Sequence, residues 1–187
     1  MKKAFVIAVL FLIPAVIAFG QTSEVRKVES WWPNGNQKLQ GAMKKHPNGE
    51  FAKDGKFFTW FENGRKKSQE SWKDGVQEGP SLAWNENGNL SQETNFKNGK
   101  KDGKQVIYWP NGKKKTEHNY RNGRLDGKEI HWFTNGEKEL AGGWKDGKRD
   151  GSWTKYDRNG KKKDTKRYEA GMPTSKSKKR SSSGGSD

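Results

Sequence analysis

The chain has 187 residues, a net charge of +16, no cysteine and only 28% hydrophobic residues. Those values exclude a disulfide-stapled scaffold and a thick aliphatic core, since ordinary domains are roughly 45–50% apolar. Low hydrophobicity with high charge predicts disorder by itself, so any fold has to come from patterning.

The apolar residues are unevenly placed. Lys2 and Lys3 precede an unbroken apolar run over 4–19, and Ala18 and Gly20 put small residues where a signal peptidase reads. Residues 1–20 therefore have the form of a secretory signal peptide, predicting cleavage before Gln21. The exported protein is expected in the periplasm, in the cell envelope or outside the cell. The run falls short of the roughly 20 residues that span a bilayer, so no transmembrane helix is expected after cleavage. Residues 21–187 keep 37 hydrophobic residues, 19 of them aromatic. One buried ring removes roughly 150–250 Å² from water, so rings in register can shield a thin sheet where aliphatics are scarce.

That register is present. Trp60, Trp84, Tyr108, Trp132 and Tyr156 recur every 24 residues, as do Trp72, Phe96, Tyr120, Trp144 and Tyr168. Between the two rows stand Asn63-Gly64, Asn87-Gly88, Asn111-Gly112, Asn135-Gly136 and Asn159-Gly160. Glu78-Gly79, Asp102-Gly103, Asp126-Gly127 and Asp150-Gly151 close the units. Four landmarks in phase define a repeat protein. Residues 60–156 hold four regular repeats, and 31–59 read as a degenerate first copy that caps the stack. In that copy Trp31 and Asn34-Gly35 keep the offsets, but His46-Pro47 belongs to an insertion. Residues 157–171 read as a partial last repeat in which Ala170 replaces Asn or Asp. Residues 172–187, rich in Ser, Lys and Gly, read as a disordered basic tail.

Each unit reads as a β-hairpin. Leu82 and Trp84 share a face by period-two alternation, as do Leu90, Gln92, Thr94 and Phe96. Asn87-Gly88 between these runs predicts a type I′ turn, which needs φ > 0 at both central residues. The fold class is thus all-β, an elongated antiparallel meander that gains about 9–10 Å of sheet per hairpin. The two aromatic rows are expected to be its core, and Trp84→Ala or Trp132→Ala to cost about 3–5 kcal/mol if so. Phe61, Trp109 and Phe133 follow the first row by one residue and point to the opposite face. They are the candidates for an exposed aromatic binding strip.

An enzyme needs a constellation that occurs once, in a pocket, and here nearly every polar landmark is repeated. His46, His118 and His131 fall at different phases and make no metal-ligand spacing. The acidic-Gly pairs lack the clustered carboxylates of a calcium loop and read as turn formers. No catalytic residue, metal or other cofactor is expected.

The segment Trp-Asn-Glu-Asn-Gly … Asn-Phe-Lys-Asn-Gly-Lys-Lys-Asp-Gly over 84–103 resembles the MORN repeat variant of bacterial exported proteins. The resemblance covers 60–156 well and the flanking copies poorly. It implies a twisted, elongated sheet of hairpins and brings no catalytic residues. Many bacterial members carry the label of antitoxin component of a toxin–antitoxin system. Eukaryotic relatives with the ordinary repeat act as membrane scaffolds, some linked to acidic phospholipids. The expected function is a non-enzymatic binding or scaffold module at the cell envelope or exterior; the alternative is an antitoxin-like protein that binds a cognate protein toxin. Expected partners are a protein or an anionic envelope component, acidic lipid or polymer, and the open sheet edges allow end-to-end self-association. Nucleic acid is disfavoured, because most of the basic excess lies outside the repeats and export removes the usual ligand.

Overall fold

The computed structural model describes residues 24–174, so the signal segment 1–20 and residues 175–187 of the tail lie outside the described residues. Among the described residues, fifteen strands form one open antiparallel sheet. It starts with Val25–Trp31 beside Gln37–Lys45 and ends with Met172–Pro173 beside Lys162–Glu169. Between them every pass pairs with the pass before it in the chain. Two early passes are each split at an acidic-Gly step. Phe51–Lys53 and Gly55–Trp60 lie along one neighbour, Val76–Gln77 and Gly79–Trp84 along another.

The ribbon has a different turn chemistry at each edge. At one edge, two-residue turns have φ > 0 at both positions: Asp74-Gly75, Asn98-Gly99, Asn122-Gly123, Asp146-Gly147 and Ala170-Gly171. These are the type I′ turns, and they demand residues that tolerate left-handed backbone. Ala170, at φ 49°, has neither the glycine exemption nor an amide side chain to offset the strain.

At the other edge the structure corrects the predicted turn type. Asn63, Asn87, Asn111, Asn135 and Asn159 are not left-handed, and only the glycine after each one is, at φ 79–95°. Gly112 N–H donates to the Trp109 carbonyl at 2.9 Å, and Trp109 N–H donates to the Lys113 carbonyl at 2.8 Å. That is a three-residue loop, a type I turn followed by a left-handed glycine bulge. The carboxamide explains the choice. Asn111 Oδ1 accepts the Lys113 N–H at 3.1 Å, a local bond two residues on that competes with the I′ geometry.

The flanking copies keep the architecture. In the first, a loop closed by His46 N–H on the Glu50 carbonyl at 2.8 Å replaces the two-residue turn, which accounts for the insertion. In the last, Tyr168 still pairs with Gly151, and the sheet continues through Met172–Pro173, into the segment assigned to the tail.

Cross-strand partners share a face. Trp60, Trp84, Tyr108, Trp132 and Tyr156 lie on one face, and Trp72, Phe96, Tyr120, Trp144 and Tyr168 on the other. All ten are half-buried. The buried positions lie along the middle of the strands: Phe57 (4% exposed), Val106 (3%) and Trp153 (4%), with Thr94, Gln105, Thr116 and Glu129. A single-layer sheet has only neighbouring side chains to cover its faces. Rings near the turns keep an outer edge wet, and mid-strand groups are covered from both sides. Phe57 and Trp153 fit because glycines lie beneath them, Gly41 and Gly142, where a Cβ would collide with the ring.

Trp153→Ala is therefore expected to cost about 3–5 kcal/mol, while Trp84→Ala, whose ring is already half wet, falls below that range. Urea unfolding of both variants checks this, and equal losses contradict it.

Candidate functional site

Most polar landmarks of the repeat hold one hairpin to the next. Asn63, Asn111 and Asn135 each donate a side-chain N–H to a backbone carbonyl of the following loop, at 3.0, 2.9 and 2.8 Å. Asn89 substitutes in the copy where Asn87 does not, reaching the Pro110 carbonyl at 3.0 Å. At the opposite edge Glu78, Asp102 and Asp126 accept the backbone N–H of Asn98, Asn122 and Asp146 at 2.7, 3.0 and 3.3 Å. The acidic residues are thus clamps between repeats and not the turn formers read from sequence: Asp102 and Asp126 lie within strands, and Glu78 at a break between two strands.

The aromatic strip sits on the face opposite the first row, and its members are half-buried. Trp109 Nε1 donates to the Trp132 carbonyl at 3.1 Å, as Trp32 Nε1 does to the Trp60 carbonyl at 3.1 Å. Each ring of the strip has a cation over it: Lys67 on Phe61 at 5.5 Å, Lys115 on Trp109 at 4.5 Å and Arg158 on Phe133 at 5.6 Å. The same pairing recurs across the array. Lys53 covers Trp72 at 4.3 Å, Lys101 covers Tyr120 at 5.0 Å, and Arg149 covers Trp153 at 4.3 Å. On the first-row face Lys66 covers Trp84 at 5.3 Å and Lys114 covers Trp132 at 5.6 Å. A ring under a cation holds it by its quadrupole and buries the aliphatic stem while the charged head stays in water.

Two clusters of ionisable groups stand out on the central repeats, one per face. On the first-row face Glu117 receives Lys104 at 3.1 Å and Lys114 at 2.7 Å. Burial pushes its carboxyl up, but the two lysine hydrogen bonds together outweigh that and hold it below the usual carboxylate value. Nearby, Tyr108 donates its hydroxyl to Glu93 at 3.1 Å.

On the other face the strands Lys114–Arg121 and Arg124–Trp132 bring His118, Glu129 and His131 together. His118 is the direct cross-strand partner of Glu129, and His131 follows Glu129 by two on the same strand. Glu129 Oε1 lies 2.6 Å from His131 Nε2, and its Oε2 accepts Trp144 Nε1–H at 2.6 Å. Burial works against the Glu129 charge, but the His131 and Trp144 hydrogen bonds and the nearby imidazoles outweigh it, so its carboxyl lies below the usual range. His118 is displaced downward, by burial first, with the Glu129 attraction only partly opposing it. A recess of about 270 Å³ beside His131 is lined by Phe133, Leu140, Lys155 and Lys163.

Sequence spacing along one strand does not reveal this cluster, because the ligating atoms come from two strands. The turn at Asn122-Gly123 sets the pair Tyr120↔Leu125, and a register shift between His118 and Tyr120 then makes the pairs His118↔Glu129 and Thr116↔His131, which the turn alone does not give.

The Glu117 network carries a pH expectation. Its folded carboxyl value is lowered, so its stabilisation is complete above the unfolded value of about 4.3 and is lost as pH falls through the lower folded value. Glu117→Gln is expected to reduce stability at neutral pH and to flatten the acid decline below about pH 5. Thermal unfolding across that range checks it; an acid limb as steep as in the parent chain contradicts it.

The model of the family described as MORN repeat variant matches residues 53–74, 77–98, 101–122 and 149–170. No curated protein sequence matches the chain. The matched segments keep the 24-residue phase, skipping the copy between 122 and 149, where the strand Lys138–Lys145 nevertheless pairs with both its neighbours in the chain. The continuous hairpin pairing and these four segments identify 53–170 as an array of MORN repeat variants, the family to which this chain belongs.

Proposed function

We propose that this protein is a non-enzymatic binding or scaffold module of the cell envelope or exterior, and that its repeated partner chemistry is anionic. The repeat supplies a binding array. The observation that supports an anionic partner is the row of ring-backed cations, Lys53, Lys101 and Arg149 at one repeat phase on the second-row face, each held over an aromatic ring. The Asn and acidic landmarks are spent on holding hairpins together, and these cations recur in every second copy, with Gln77 and Leu125 between them. Lys53 also lies 3.7 Å from Glu70, and Lys101 donates to Gln105 at 3.2 Å. A pre-positioned cation loses little side-chain entropy on meeting a phosphate, and a line of them suits a charged surface or polymer better than one small ligand. The signal-like segment 1–20 supports the envelope location.

Acidic partners give the reading its test. The chain is expected to co-sediment with vesicles containing an acidic phospholipid, or to retain polyphosphate, at low salt, and to release both as salt screens the contact. Lys53→Gln combined with Lys101→Gln is expected to weaken that binding without loss of fold. Equal binding to neutral vesicles, or none to either anionic probe at low salt, overturns the proposal.

A further inference from the structure

We infer that His118, Glu129 and His131 form a three-ligand site for a divalent transition metal ion of the zinc type, with a coordination position left open. Two imidazoles and one carboxylate are a donor set suited to such ions rather than to calcium or magnesium, which take oxygen ligands. One ligating atom from each residue falls within 4.8 Å of the others. Bonds of about 2.0–2.2 Å in tetrahedral geometry place ligand atoms roughly 3.3 Å apart. His118 Nε2 and Glu129 Oε2 are 3.6 Å apart, close to that separation. His131 Nε2 is nearer the carboxylate, at 2.6 Å, the length of a hydrogen bond that a metal would replace. His131 is also the most exposed of the three, at 32% of its side chain, and has room to draw back.

Three further observations converge on the same atoms. Neither ring nitrogen of His118 has a hydrogen-bond partner among the described residues: Nε2 stands 3.6 Å from the carboxylate, and Nδ1 is buried and unpaired. Nε2, which makes no hydrogen bond and faces the Glu129 carboxylate, is the ring nitrogen free to take a cation. The Trp144 N–H on Glu129 Oε2 orients the carboxylate from behind, as outer-shell donors do in metal sites.

The third observation is that the constellation occurs once. At the phase of His118 the other copies carry Glu70, Thr94, Gly142 and Lys166, and at the phase of Glu129 they carry Phe57, Ser81, Gln105 and Trp153. Glu129 and His131 stand in the copy that the family model skips. Three protein ligands leave a position for water or for a donor group on a partner, and an open recess adjoins the His131 side of the cluster.

The probes are cobalt and zinc ions added to the full-length, untagged chain. Saturable uptake of one cobalt ion per chain is expected, with the visible absorption of a low-coordinate site, displacement by zinc, and a raised unfolding midpoint. His131→Ala and Glu129→Gln are expected to abolish the absorption and the midpoint shift, and His46→Ala to leave both intact. His131 is the least buried ligand, so its variant decides the matter if Glu129→Gln does not fold. No saturable uptake, or uptake that survives His131→Ala, overturns the site. These readouts do not depend on anionic vesicles, so this inference and the proposed function fail separately.

Discussion

The structure depends on hydrogen bonds that run sideways from one hairpin to the next at both edges of the ribbon. Backbone pairing between strands would extend any meander, but it does not by itself fix where the turns sit. Here each turn of the two-residue type sends a glycine N–H back to the preceding repeat. Gly75, Gly99, Gly123, Gly147 and Gly171 donate to the carbonyls of Lys53, Gln77, Lys101, Leu125 and Arg149 at 2.8–3.0 Å. The type I′ turn, with φ > 0 at both positions, leaves that N–H free to bond along the sheet. On the acidic side a carboxylate fixes the first turn residue, and across the ribbon an asparagine closes its own loop and reaches the next. The first copy shows that these bonds locate the turns: despite its insertion, Asn34 still donates to the Glu62 carbonyl at 2.8 Å.

With the turns so fixed, the faces can remain thin. A single layer cannot dehydrate a large ring completely, and the two aromatic rows settle at half burial under lysine and arginine stems. Among the described residues near-complete burial falls mid-strand, where the ends of the array use a ring over a glycine and the centre sets Val106 on one face and polar groups, Thr94, Gln105 and Glu129 among them, on the other. Gln105 donates to Thr94 Oγ1 at 3.2 Å and accepts from the Tyr120 hydroxyl at 3.3 Å. The central repeats are therefore the polar part of the sheet, and the histidine–glutamate cluster is a continuation of that seam.

Much of this was legible in the sequence, because a period of 24 with Asn-Gly and acidic-Gly landmarks permits few folds. The hairpins, the two rows and the sheet were readable from phase alone. Three features were not. The turn type at Asn111-Gly112 depends on a carboxamide that bonds its own loop, and a dipeptide preference does not contain that bond. The burial of Phe57 and Trp153 rather than Trp84 or Trp132 depends on Gly41 and Gly142 on neighbouring strands. The meeting of His118 with Glu129 and His131 is a cross-strand event that linear ligand spacing cannot express.

Amide hydrogen exchange of the turn glycines tests the central claim most directly. Gly75, Gly99, Gly123 and Gly147 lie in surface turns, where free amides exchange fast, yet each donates to the preceding repeat. Protection at these four amides comparable to that of mid-strand amides such as Val106 is the expected result. Exchange at the rate of an open loop would mean that the lateral bonds do not hold the repeats in register.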